Sequence, residues 1–423
     1  MGTGLQRFAS FLIVMFLWAV LPGCGGGGDS PNTPGEPLPQ SATQVSVDPP
    51  QNLGTVTLQP HTDSEELFLD MRGSSFMLVA NGGNAQDIDI HSVVDPSGAT
   101  LVTANPNDVD PIGRNRLQAL GGSAVAGLFP HTPAYTVQPG RYSFRVRNDG
   151  PLTATINVSA IVKHGVNPSG GTLNVNLVFC GVPGLSAFSA LSGQTLASEK
   201  FLIMFNEFKR IFRDAAHIEI ATPSLSDCSR AVATVVEFIS GSDFDLNRQA
   251  DELDKLFPNY TRDPFLSLSA ELPEDALTFY FIEDREKALL DKTKGTILGT
   301  SGGIPGPART RGTRHSGVAV STLGAPANLS DNGAKLLGKT MAHEAAHFLG
   351  LFHTTEIDGE HYDPLSDTSE CTKDNDTNGD SILEAGECLN LDGQNLMHWD
   401  GGGTGIQLTD GQRLVLHRNP LIH

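Results

Sequence analysis

The chain has 423 residues, 39% of them hydrophobic, which is enough for real cores and, by length, for two or three domains. The formal net charge of −20 excludes nucleic acid as a partner, because phosphate binding needs a basic face. Acidic residues are spread along the chain, and most are read as solvated surface.

The N-terminus reads as an export signal. Arg7 supplies a positive region, and Phe8 to Val20 forms an apolar stretch with the length of a signal h-region, short for a transmembrane span. Leu21-Pro-Gly-Cys24 follows and resembles a bacterial lipobox, in which cleavage falls before the cysteine and the thiol is lipidated. That resemblance implies a lipoprotein signal peptide over 1–23 and a membrane anchor at Cys24. Gly25, rather than aspartate, points the anchored protein to the outer membrane or cell surface. An ordinary signal peptide with an incidental cysteine is the alternative. Residues 24–45 are rich in Gly and Pro, which deny a packed core, so they form a tether.

Residues 46–165 read as an all-β, sandwich-like accessory domain. Short apolar runs such as Leu67-Phe-Leu69, Phe76-Met-Leu-Val-Ala80 and Tyr142-Ser-Phe-Arg-Val146 are separated by Gly, Pro, Asn and Asp turns. Val137-Gln-Pro-Gly-Arg-Tyr-Ser-Phe-Arg-Val146 resembles the late strand of bacterial pre-peptidase C-terminal domains. His61, His91 and His131 are isolated and are expected on the surface.

From 166 to 423 the pattern turns to α+β. Strands are expected at Leu173–Phe179, Ile218–Ile220, Leu277–Ile282 and Gly317–Ser321. A helix is expected over Ser198–Ala216, where Phe201, Phe205, Phe208 and Phe212 recur at helical spacing as core. Thr409 and Gln412 form a capping box for a last helix that Pro420 ends. Gly295 to Gly312, rich in Gly, Pro and Thr, reads as either an exposed edge or a plain loop.

The chemistry concentrates in Met341-Ala-His-Glu-Ala-Ala-His-Phe-Leu-Gly-Leu-Phe-His353. His343 and His347, four apart, leave one face of a helix and suit two nitrogen ligands of a tetrahedral zinc. Glu344 lies between them, placed as a general base for an activated water. Gly350 accepts the conformation that stops a helix, so the chain can return His353 as third ligand. Three histidines leave a fourth position open, the mark of a catalytic zinc site. Ala334, Leu337, Met341, Ala345 and Phe348 give the same helix an apolar stripe to bury.

This H-E-x-x-H-x-x-G-x-x-H string, with Asn395-Leu-Met-His-Trp-Asp400 downstream, resembles the metzincin zinc metalloproteases and their methionine turn. Within that clan, Leu351-Phe-His353, Asp363-Pro-Leu-Ser-Asp-Thr368 and Leu408-Thr-Asp-Gly-Gln412 are most similar to the pappalysin type. The resemblance implies a mixed twisted sheet with a zinc helix and Met397 as a floor beneath the metal. It also implies a metalloendopeptidase acting on protein or peptide substrates. The residue two after the methionine is tyrosine in several such families and Trp399 here, which offers only an indole N–H. A catalytically silent surface-binding lipoprotein and a metallo-amidase acting on a non-protein substrate are the alternatives.

Between the third histidine and Met397, the segment Asp376–Glu387 places Asp376, Asn378, Asp380, Glu384 and Glu387 at positions 1, 3, 5, 9 and 12 of an EF-hand register. Calcium is the expected ligand, and a solvated acidic loop the alternative. Position 6 is Ser381 rather than glycine. Setting Cys24 aside leaves Cys180, Cys228, Cys371 and Cys388, an even number that suggests two disulfides in an exported protein. Of three connectivities, Cys180–Cys228 and Cys371–Cys388 close the most local loops.

Overall fold

The computed structural model describes residues 45–82, 87–102, 123–228, 272–282, 290–291, 295–296, 298–313, 315–400 and 405–423. The expected signal peptide, Cys24 and the tether lie outside the described residues.

Ten antiparallel strands come first: β1 (Ser46–Val47), β2 (Gln51–Leu58), β3 (Thr62–Asp63), β4 (Leu67–Met71), β5 (Ser75–Asn81), β6 (Ile88–Val94), β7 (Thr100–Val102), β8 (Ala124–Phe129), β9 (Gly140–Asn148) and β10 (Ala154–His164). They make two sheets. In one, β10 carries β1 and β2 on one side and β5, then β8, on the other. In the second, β9 carries β3 and β4 on one side and β6, then β7, on the other. Along β9 the burial alternates, so Tyr142, Phe144 and Val146 fill the space between sheets. Phe76 stacks on Phe129 at 4.9 Å and meets the edge of Tyr142 at 5.0 Å. The Tyr142 hydroxyl donates to the Gln138 carbonyl and accepts from the Gln138 N–H, a tyrosine corner that pins the turn before β9. His61 is exposed and His91 pairs with Asp63 at 3.4 Å. His131, expected on the surface, is buried, because the chain following β8 runs against the second half of the molecule.

Strands β5 and β8 differ from β9. Nearly every residue in them is buried, whichever face it points to. One face, with Leu78, Ala80 and Val125, belongs to the sandwich core. The other, with Met77, Val79, Ala126 and Leu128, belongs to the core of the following α+β part. The two parts therefore share a wall. Polar contacts tie them as well. Lys163 of β10 is buried and donates to the carbonyls of His417 at 2.6 Å, Asn419 at 3.0 Å and Ile422 at 2.5 Å. In the opposite direction, Arg418 donates to the carbonyls of Pro130 and Thr132.

The remaining strands are β11 (Gly171–Leu173), β12 (Val175–Cys180), β13 (Ile218–Ile220), β14 (Ser224–Asp227), β15 (Leu277–Ile282), β16 (Leu290–Asp291), β17 (Gly295–Thr296), β18 (Gly299–Ser301) and β19 (Val318–Ser321). Among the described residues, the α-helices are α1 (Leu196–Ile211), α2 (Asp331–Leu349) and α3 (Asp410–Arg418). The central sheet has the order β14-β12-β15-β19-β18. Its first four strands are parallel, and β18 closes it antiparallel to β19. The fold is thus mixed α+β. The expected strand Leu173–Phe179 is two strands: Asn174 breaks the run, so that β11 pairs with β13 and β12 enters the main sheet. The helix expected over Ser198–Ala216 starts at Leu196, capped by Thr195, and becomes a π-helical turn over Phe212–Ala216. Its four phenylalanines are buried as expected of a core face.

Disulfides join Cys180 to Cys228 and Cys371 to Cys388, with Cα–Cα distances of 4.7 and 5.8 Å.

Candidate metal centre

Helix α2 is built by its sequence. Ser330 caps its start by accepting the Gly333 N–H at 3.0 Å. Ala334, Leu337, Met341, Ala345 and Phe348 are all buried, so the apolar stripe faces the core. Gly350 ends the helix at φ 122°, a conformation that a side chain would oppose. Its N–H and that of Leu351 both return to the Ala346 carbonyl, satisfying the helix end. The turned chain then brings His353 back over the helix.

The outcome is a convergence of three imidazoles. The His353 Nε2 lies 3.1 Å from the Nε2 of His343 and 3.0 Å from that of His347. Each ring is held by its other nitrogen. The His343 Nδ1 faces the Leu396 carbonyl at 2.7 Å, that of His347 the Leu351 carbonyl at 2.6 Å, and that of His353 the Glu356 carboxylate at 3.0 Å. All three acceptors require Nδ1 to carry the proton, which leaves three Nε2 lone pairs pointing at one another. Lone pairs at that separation repel unless a cation lies among them. Three neutral imidazoles anchored through Nδ1 are the donor set of a tetrahedral zinc site. The burial agrees: desolvation, then the neighbouring histidines, push His343 down to about 3 and His347 well below its ordinary value, so neither carries its own proton charge.

Glu344 sits on the same helix and is partly exposed. Its surroundings push its carboxyl up to about 8 by desolvation, opposed by the nearby backbone N–H of Ser301. A dication beside it would act in the opposite sense and favour the carboxylate.

The methionine segment holds the site from below. Met397 is fully buried within the α+β core. Its carbonyl accepts the Thr354 N–H at 3.0 Å, while the preceding carbonyl, of Leu396, holds His343. The Thr354 hydroxyl donates to Asp392 at 2.6 Å, fixing the chain just after the third histidine. Asn395 accepts the Met397 N–H and exchanges side-chain bonds with Gln412, which also caps α3. Asp367 accepts the Gly411 N–H at the start of that helix, and Asp363 accepts from Leu365 and Thr368. Two of the segments quoted above, Asp363–Thr368 and Leu408–Gln412, thus meet at the first turn of α3 through Asp367 and Gly411. Trp399 is committed elsewhere, its indole N–H donating to the Leu383 carbonyl at 2.5 Å.

Glu356 was not singled out in the sequence, although H-x-x-E after the third histidine was there to be read. It is the anchor of His353.

The acidic loop behaves differently. Asp376 accepts the N–H groups of Gly379 and Ser381, Asn378 that of Asp380, and Asp380 that of Ile382. Glu387 reaches across to the Thr377 and Asn378 N–H groups. Ser381, at the position where glycine was missing, has φ 65°, the left-handed value that an EF-hand turn needs. Among the described residues, however, only two groups bring three metal-binding side chains together: His343, His347 and His353, and the disulfide pair Cys371 and Cys388 with Asp392. The five expected calcium ligands do not form such a group.

No family model and no curated protein matches the chain. Among solved structures, archaemetzincin from Methanopyrus kandleri aligns over 44% of this chain and 78% of its own, with a TM-score of 0.23 and 12% identity. An N-terminal endo-1,4-beta-D-xylanase 10B fragment from Clostridium thermocellum aligns over 55% and 67%, with a TM-score of 0.14 and 10% identity. Likeness at these levels carries no weight for function.

Proposed function

We propose that this chain is a zinc-dependent metalloendopeptidase, lipid-anchored through Cys24, that hydrolyses peptide bonds of extracellular or periplasmic proteins. The observation that carries the reading is the convergence of three Nε2 lone pairs beside Glu344. Zinc held there would supply Lewis acidity toward water and the scissile carbonyl. His343, His347 and His353 would hold the ion, each oriented by its Nδ1 partner. Glu344 takes the proton of the attacking water and returns it to the leaving amine. Burial lifts the Glu344 carboxyl to about 8, and a cation beside it would lower it again, so the same group can accept a proton and give it up. The substrate lies extended along the outer edge of β18, adding a strand to the sheet.

A protein-substrate assay on zinc-loaded protein, with a chelator control, tests this. Glu344→Ala should keep zinc and lose ~10²–10⁴ in rate, since the ligands stay and the base is gone. A variant that cleaves at the wild-type rate would remove Glu344 from the mechanism. Wild-type protein that binds zinc and cleaves no protein would favour the amidase or binding alternatives.

A further inference from the structure

We propose that Gly299 is a positioning residue for Glu344, a kinetic role that rests on the peptidase reading: the missing Cβ lets the edge strand lie against the stem of the base and set its direction. Gly299 opens β18 and pairs with Val320 of β19. A Cβ there would fall 2.7 Å from the Glu344 Cγ, 2.9 Å from the Thr340 Cγ2 and 3.2 Å from the Ala319 carbonyl oxygen. Thr340 and Glu344 are one turn apart on α2, so this face of the helix rests on that one strand position. A glycine inside a strand weakens it, and its usual reason is close approach of another group.

The geometry says what must yield if a methyl appears. Ala319 is backbone of the neighbouring strand. Thr340 is buried, and its hydroxyl is tied to the Leu336 carbonyl at 3.1 Å. The Glu344 Cγ is the one contact able to swing, because it can turn about the Cα–Cβ bond. Moving it from 2.7 Å to ordinary contact at 3.4 Å takes about 0.7 Å, and the carboxylate swings with it. The strand that would align the peptide therefore also aims the base at it. His343, His347 and His353 take no part in this contact, so zinc binding is separable from it.

Gly299→Ala is expected to bind zinc at wild-type stoichiometry and to leave KM within a few-fold. Its kcat should fall by ~10²-fold, the scale of a misplacement of about an ångström. A second measurement needs no activity. The loss of Tm caused by Gly299→Ala is measured in the wild-type chain and in Glu344→Ala, where the Cγ is gone. The loss should be several degrees smaller in the second background, which also rescues folding if the single variant is too unstable to isolate. Equal losses in both backgrounds, or an unchanged kcat in an active enzyme, would overturn the role of Gly299. Wild-type protein without peptidase activity would overturn only the peptidase reading, and the stability cycle would still decide the contact.

Discussion

The histidine cluster and the Asp376–Glu387 loop are two polar constellations of similar prominence in the sequence, and they meet opposite fates. The imidazoles are largely buried, and each is anchored by a group outside the cluster, so their remaining lone pairs have nowhere to turn except toward each other. The loop oxygens are exposed and turn back on their own backbone N–H groups. A ligand set is preorganised when its members are held from behind by something else. One that satisfies itself must give up those bonds, or share them, to receive an ion.

If that is the distinction, removing a partner should cost most where polar groups are buried. Lys163 is the extreme case, with three N–H donors facing three buried carbonyls. Lys163→Met keeps the stem but strands the His417 and Ile422 carbonyls, at ~1–3 kcal/mol for each, while that of Asn419 still accepts the Ile422 N–H. Denaturant melts would read that as the largest stability loss among these variants. The lysine also predicts a pH dependence. Burial lowers it from 10.5 to about 7. If burial outweighs the three carbonyls, which together call for the ammonium's three N–H groups, the unfolded chain between those values binds more protons than the native one, and the stability owed to this site rises with pH from about 7 toward 10.5. His417 and His423, its titratable neighbours, are both held below the ordinary imidazole value by burial and stay neutral in that window. The Tm advantage of the native chain over Lys163→Met should therefore widen from pH 7 to pH 10. An advantage that shrinks would mean the ammonium is favoured inside.

Glu356→Gln tests the anchoring itself. An amide can still accept from His353, but without charge, so zinc affinity should fall by ~10–100-fold while the fold is kept. Competition with a chromogenic chelator measures this. Unchanged affinity would mean that His353 is oriented by chain path alone.

The smallest effect is expected at the loop. Calcium should raise the Tm by a few degrees, and Asp376→Asn with Asp380→Asn should abolish the response. At a hundredfold excess over Kd the gain would be roughly 2.7 kcal/mol, before any bonds surrendered by the loop. Identical melts in calcium, in chelator and in matched sodium chloride would leave the loop as a self-capped acidic turn.

The histidine cluster was legible because helical spacing is a property of the sequence: His343 and His347 at four, Gly350 to turn the chain, His353 to return. What held them was not, since Leu396 and Leu351 act through carbonyls that any residue would supply. The part Gly299 plays was hidden for a related reason, because a missing side chain leaves no pattern. The shared wall was within reach. Phe76-Met-Leu-Val-Ala80 is a continuous apolar run, and a strand facing solvent on one side alternates instead. Reading it as one more sandwich strand missed that its second face needed cover.

The tie at Lys163 also bears on the order of events during synthesis. The first carbonyl it serves is 254 residues further along the chain. Until those residues emerge, the lysine has no acceptors, and the outer faces of β5 and β8 lie bare. The sandwich is made early and finished late. In the interval a nascent chain offers an apolar, strand-rich surface, the kind that holdase chaperones cover and that otherwise pairs with a neighbour.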